Sequence, residues 1–178
     1  MSASSIVCRN GQVASEDNLR AGYQVKITGK INKGTSLADT IEFYANLIGP
    51  ITQIDYSAQE LTLLNHRVRI TNTTLFDAAI KPNLLSGLKQ GDLVSVSGFA
   101  DDQEAITATR IELTTAANHQ VMGKVSDLNA GMFTFAVGNQ KVNFSGASLS
   151  SFASNQVAEN NVVVVSGTVD DKDVLQAK

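Results

Sequence analysis

The side chains in this 178-residue chain that could do chemistry are few, and their spacing does not gather them. The two histidines, His66 and His119, are 53 positions apart, with no nucleophile elbow and no placed acid to complete a hydrolytic triad. His66 reads as the cap of a turn, and His119 as part of a linker, "TTAANH". Acidic groups cluster at Asp101 and Asp102, and again at Asp170, Asp171 and Asp173. Calcium chemistry needs alternating acids, a glycine and a later bidentate Glu, and that loop is missing, so these acids read as solvated hairpin tips. Gly91 and Gly98 in "LKQGDLVSVSG" suggest a phosphate cradle, yet no Lys and no helix start follow them. They read as turn positions where glycine takes a positive φ freely. The single cysteine, Cys8, has no internal disulfide partner and reads as a small, buried or half-buried residue. No apolar run precedes it, and bulky Val7 stands where lipid attachment needs a small residue. No catalytic, metal or cofactor-binding residue is assigned from these types and spacings, and no cofactor is expected.

One patch remains as a possible ligand surface. Arg67 and Arg69 alternate with Val68 and Ile70 and so point away from the core, and Lys141 and Asn143 hold the matching places seventy-four residues on. Single-stranded nucleic acid would need outward aromatic rings beside such cations, but Phe133 and Phe135 share the parity of Val137 and are expected inside. A formal net charge of −3 and a pI near 5.3 give no general attraction to phosphate backbones, so nucleic acid is an unfavoured partner.

Those side chains must be positioned by strands. Trp is absent, Pro occurs twice, and Val, Thr, Ser and Asn are plentiful, a composition for short strands and polar turns. No apolar run approaches a membrane span. The strand pattern is also repeated. "LRAGYQVKITG", "LKQGDLVSVSG" and "VAENNVVVVSG" end at Gly29, Gly98 and Gly167, at intervals of 69 and 69 residues. A second anchor, Ile48-Gly49-Pro50-Ile51, recurs as Met122-Gly123-Lys124-Val125. The interval from strand glycine to anchor is 20 and then 25, and from anchor to the next strand glycine 49 and then 44, so loops vary while strands keep register.

After each anchor the apolar positions alternate. Ile51 and Ile54 match Val125 and Leu128, Leu61 and Leu63 match Phe133 and Phe135, and Val68 and Ile70 match Val142 and Phe144. "FDAAIKPNLLSGL" interrupts the strands and has room for one helical turn around Asn83 to Ser86. Three strands, an interruption and two strands is the order of a five-stranded Greek-key barrel of the OB type, with other small antiparallel barrels or a sandwich as alternatives. The fold class is all-β, as tandem OB-like barrels.

The run G-x-[IV], Thr74-Leu75-Phe76, L-x-x-G-D-x-V-x-V-x-G from Leu88 to Gly98, and A-x-x-I from Ala108 to Ile111 resembles the bacterial domain-of-unknown-function family 5666. The resemblance implies a tandem OB-type domain of exported or envelope-associated proteins with no assigned activity. It carries no catalytic residue across. The third unit departs from it, with Ser148 in the place of Thr74 and Asn160-Asn161 in the place of Gly91-Asp92.

The expected organisation is therefore a partial unit over 1–46, a complete one over 47–117, and one over 118–178 that stops as its last strand begins. That truncation favours a fragment of a longer array, and an uncovered strand edge offers self-association. The expected role is a non-enzymatic, periplasmic or envelope-side spacer, or a surface for a protein or glycan. An oligonucleotide or anionic ligand bound across the second and third strands is the alternative, and an enzyme site in a cleft between units a weaker third.

Overall fold

The computed structural model describes residues 6–9, 12–32, 35–101, 105–149 and 156–178. Among them all regular structure is β, apart from short 3-10 turns at Glu16–Asn18 and Leu85–Gly87. The second of these falls at the interruption expected to carry a helical turn.

The central segment closes on itself. Its strands are β5 (Leu47–Pro50), β6 (Gln53–Asp55), β7 (Glu60–Leu63), β8 (His66–Arg69), β9 (Leu75–Phe76), β10 (Leu93–Ala100) and β11 (Ile106–Leu113). To keep one numbering, the other strands are β1 (Ile6–Arg9), β2 (Gln12–Ala14), β3 (Val25–Asn32), β4 (Thr35–Phe43), β12 (His119–Asn129), β13 (Thr134–Val137), β14 (Gln140–Asn143), β15 (Val162–Val169) and β16 (Leu175–Ala177). β5 and β6 are two halves of one run that changes partner at Ile51–Thr52. β5 pairs with β10, and β6 with β7. At the switch, the Ile51 amide donates to Asp92 O, the Gly91 amide to Ile51 O, and the Thr52 amide to Thr62 O. The ring continues through β8, a parallel step to β11, and back to β10. It is a closed five-strand barrel with β9 added on β11. Leu47, Ile51, Leu61, Leu63, Val68, Ile80, Leu88, Val94, Val96 and Ile111 fill it, each at most 1% exposed. Each such side chain contributes about 1.5–3 kcal/mol by leaving water.

The same connectivity recurs from residue 119 onward. β12 pairs with β13 and β15, β13 with β14, β14 in parallel with β16, and β16 with β15. The register corrects one sequence match. Leu61 faces Val68 and Leu63 faces His66, while Phe135 faces Val142 and Val137 faces Gln140. The true counterparts of Leu61 and Leu63 are Phe135 and Val137. Phe133 is not a core residue: it lies in the turn before β13 with φ of 54° and is 50% exposed, packing edge-on to Phe144 at 5.8 Å between centroids. Its counterpart is Gln59, also at φ 54°; the Ile70 and Phe144 amides donate to these two carbonyls. Parity failed there because a turn residue was counted into the strand.

The four strands before Ala45 form a separate sheet of order β2-β1-β4-β3, with β1 parallel to β4. Only β3 and β4 were legible by comparison with the other units; the β1–β2 hairpin is additional.

The repeated glycines have a common cause. Gly98 is not in a turn, as expected, but inside β10, beside a register shift against β11. A Cβ there would fall on the carbonyl oxygen of Thr107, and at Gly29 and Gly167 on those of Leu37 and Gln176. The residues opposite are Ala38, Ala108 and Ala177. The two separated motifs, strand glycine and following alanine, are therefore one close approach of two backbones. The turn before the strand is also shared. Gly22, Gly91 and Asn160 all take positive φ (90°, 90° and 64°). Asn is among the few non-glycine residues that tolerate this region. Asp92 and Asn161 each accept from the amide three residues earlier, so the Asn pair does the work of Gly-Asp.

Candidate functional site

The surface singled out from sequence is formed, and its cations are paired. Arg69 lies 3.2 Å from Glu60 and 2.7 Å from Asp101, and Arg67 lies 4.0 Å from Glu60. The two contacts with Glu60 run along the outer face of β7 and β8, where cross-strand register puts Glu60 opposite Arg69, and Asp101 reaches Arg69 from just past the end of β10. Their exposure keeps them worth little in stability, about 0–1 kcal/mol each. They do cancel the charge an anion would seek. In the other barrel Lys141 is exposed, and Asn143 is half-buried with Oδ1 accepting from the Ser145 amide. β8 and β14 belong to different barrels, and no described contact brings the arginines to Lys141 or Asn143.

The acidic tips have an internal role. Asp101 Oδ1 accepts from the Ala105 amide, and Asp170 Oδ1 from those of Lys172 and Val174. Those amide bonds hold the Asp170 carboxyl below its ordinary range. Among the described residues no group of three metal-ligating side chains forms, and Asp102 lies outside those residues. Cys8 is half-buried. His66 is buried in β8, and its Nδ1 donates to Leu64 O at 2.6 Å, across the tight turn it was expected to cap. His119 corrects its expectation, because it opens β12 opposite Gly167 and belongs to no linker. Its Nδ1 is buried without a hydrogen-bond partner, and burial pushes its pKa below the ordinary histidine value.

Two junctions between units were not read from sequence. At the first, the turn around Gly22 docks on the outer face of β11. Thr109 Oγ1 donates to Gly22 O at 2.6 Å, Tyr23 Oη to Glu112 at 2.7 Å, and the Arg110 guanidinium sits 5.6 Å from the Tyr23 ring centre. Arg110 is only 12% exposed and is held by Glu112 at 2.8 Å and Asp77 at 3.7 Å. An open groove of about 460 Å³ runs beside this cluster, lined by Asn18, Tyr23, Ser95, Glu112 and Thr114 among others. The face of β10 opposite Val94 and Val96 is covered as well: Ser95 and Ser97 are 5% and 3% exposed. At the second junction β5 pairs with β12, Leu47 opposite Val121 and Ile48 opposite Gln120. Asn46 donates to Val96 O, accepts from the Met122 amide through its own carbonyl, and receives the Gly98 amide on Oδ1. Gln120 donates to Ala45 O, and Asn65 to Gln140 across the two barrels. Buried Gln120 and Gln140 each find a partner across this junction, and satisfied buried polar groups specify the arrangement that satisfies them. The hint in sequence was slight: Gln140 holds the place of buried His66.

Neither junction gathers a nucleophile, a base and an acid. No curated protein and no solved structure matches the chain. Residues 48–112, which are the closed barrel almost from its first strand to its last, match the family described as Domain of unknown function (DUF5666).

Proposed function

We propose that this chain is a non-enzymatic module of tandem OB-type barrels that serves as a stiff spacer and presents its outer faces to a protein or glycan partner. The observation that carries this reading is the double use of β5, which pairs with β10 of its own barrel and with β12 of the next. Two barrels sharing a strand edge and its buried amides transmit orientation as one body. The outer face of β7 and β8 supports a neutral partner over a polyanion, since Glu60 and Asp101 occupy the arginines. The family resemblance is what supports an envelope-side location, and fractionation of cells making the native protein reads that directly.

Backbone relaxation by NMR tests the spacer. One rotational correlation time for 47–113 and 119–177 is expected, and independent tumbling would overturn the reading. Retardation of an oligonucleotide at low salt, abolished by Arg67→Glu, would replace the neutral partner with the anionic alternative.

A further inference from the structure

The first sheet is a barrel short of one strand. In both closed barrels the order around the ring is first, second, third, fifth, fourth and back to the first, with the third and fifth parallel. In the first sheet β4 and β3 hold the fifth and fourth places, β1 lies parallel to β4 in the third, and β2 lies antiparallel to β1 in the second. Among the described residues no strand holds the first place, beside β3. The consequence is visible in matched side chains. Val94 and Val96 are fully buried, and Val163 and Val165 are 7% exposed, whereas Val25 and Ile27 are 46% and 60% exposed. Val7, Ile41 and Phe43, further in on the same sheet, are buried. The apolar face is finished except where the first strand would lie.

We propose that β3 accepts an extended strand from a different polypeptide, antiparallel to it, completing the barrel by strand addition. The source is heterologous for two reasons. The second place is already taken by β2, so a whole front half of a unit has no room, and one strand suffices. Self-pairing of two β3 edges about Thr28 would set Lys26 against Lys30 of the other copy twice, and like charges directly opposite destabilise a sheet. Lys26 pairs with Glu42 of β4 at 3.4 Å yet its side chain is 73% exposed, so it can take a second carboxylate from the guest and choose the partner's chemistry. The internal templates put Leu47 opposite Val96, Ile48 opposite Ser95 and Gly49 opposite Val94, so the guest offers apolar or small residues to Ile27 and Val25 and an acidic residue to Lys26. This deepens the proposed interaction role and does not depend on the stiffness of the β5–β12 junction.

The test uses the full chain and two synthetic peptides, one copying residues 45–52 and one the same with Glu in the place of Ile48. Amide hydrogen exchange is followed over 25–31, with analytical ultracentrifugation alongside. Both peptides are expected to slow exchange there at least tenfold, the Glu peptide binding several-fold more tightly at low salt, with no effect from a scrambled peptide. Ile27→Asp, at a position already exposed, is expected to abolish the protection while leaving the thermal midpoint unchanged. Exchange over 25–31 unaffected by either peptide would overturn the proposal. So would peptide-independent protection that rises with chain concentration and tracks dimer formation, since that makes the occupant a second copy. Failure here together with a single correlation time for the two barrels would leave the spacer standing.

Discussion

The phrase Leu88 to Gly98 and its copy Leu19 to Gly29 are written almost alike and end in opposite situations. In the first, β10 is buried on both faces from Val94 to Gly98, with the barrel core on one side, while the turn of the first sheet docks on Thr109 of the neighbouring β11. In the second, β3 is an edge, and Val25, Ile27 and Ile31 meet water. The local structure is the same in both: a positive-φ glycine turn, then a strand whose glycine lies against a carbonyl of the next strand. What differs is whether a first strand is there to pair. A strand's alternation states which face is apolar, but not what will cover it.

The comparison can be broken at the strand glycines, where the largest effect is expected. Gly98→Ala forces a methyl onto Thr107 O and against Ile106 inside a closed ring, and is expected to cost on the order of 4 kcal/mol by urea denaturation. Gly29→Ala makes the matching clash with Leu37 O on an open sheet, where β3 can move outward. It is expected to cost less than half as much, and equal costs would show that the open edge gives no relief.

The turn sharpens the comparison at smaller scale. Asn160→Gly is expected to stabilise by about 0.5 kcal/mol, because glycine holds φ near 64° without steric cost, and Gly91→Ala to destabilise by about 1 kcal/mol. Thermal midpoints read both.

The smallest effect concerns pH. His119 is folded with its pKa held below 6.5, so the native state binds fewer protons than the unfolded chain. Its contribution is intact above that value and falls away as pH drops below it. The urea midpoint is expected to fall between pH 7.5 and 5.5, and His119→Gln to shrink that fall.

Much of each barrel was legible because packing writes itself into periodicity. Val94, Val96, Val68 and Ile111 alternate as half-buried strands must, and all are fully buried. Gly29, Gly98 and Gly167 were found by spacing, but their reason was misplaced, since a close backbone approach and a turn both ask for glycine. Phe133 was sent to the core by parity, and only the register of β13 with β14 shows that the strand begins one residue later. Arg67 and Arg69 were placed on the right face, but Asp101, 32 residues from Arg69, enters the patch only through the fold. The cluster of Tyr23, Arg110, Glu112 and Asp77 left no mark in sequence, because its members come from distant stretches with no shared period.

By itself the chain's sequence determined the class of structure and the repeated strand unit. Those are matters of local alternation, turn chemistry and short-range spacing, which depend on neighbours along the chain. The tertiary structure alone decided which rings close, which outer faces are covered, and which edge is left open. Those depend on pairings such as β5 with β12 and Tyr23 with Glu112, between residues about 73 and 89 positions apart, whose energy exists only when the distant partner arrives.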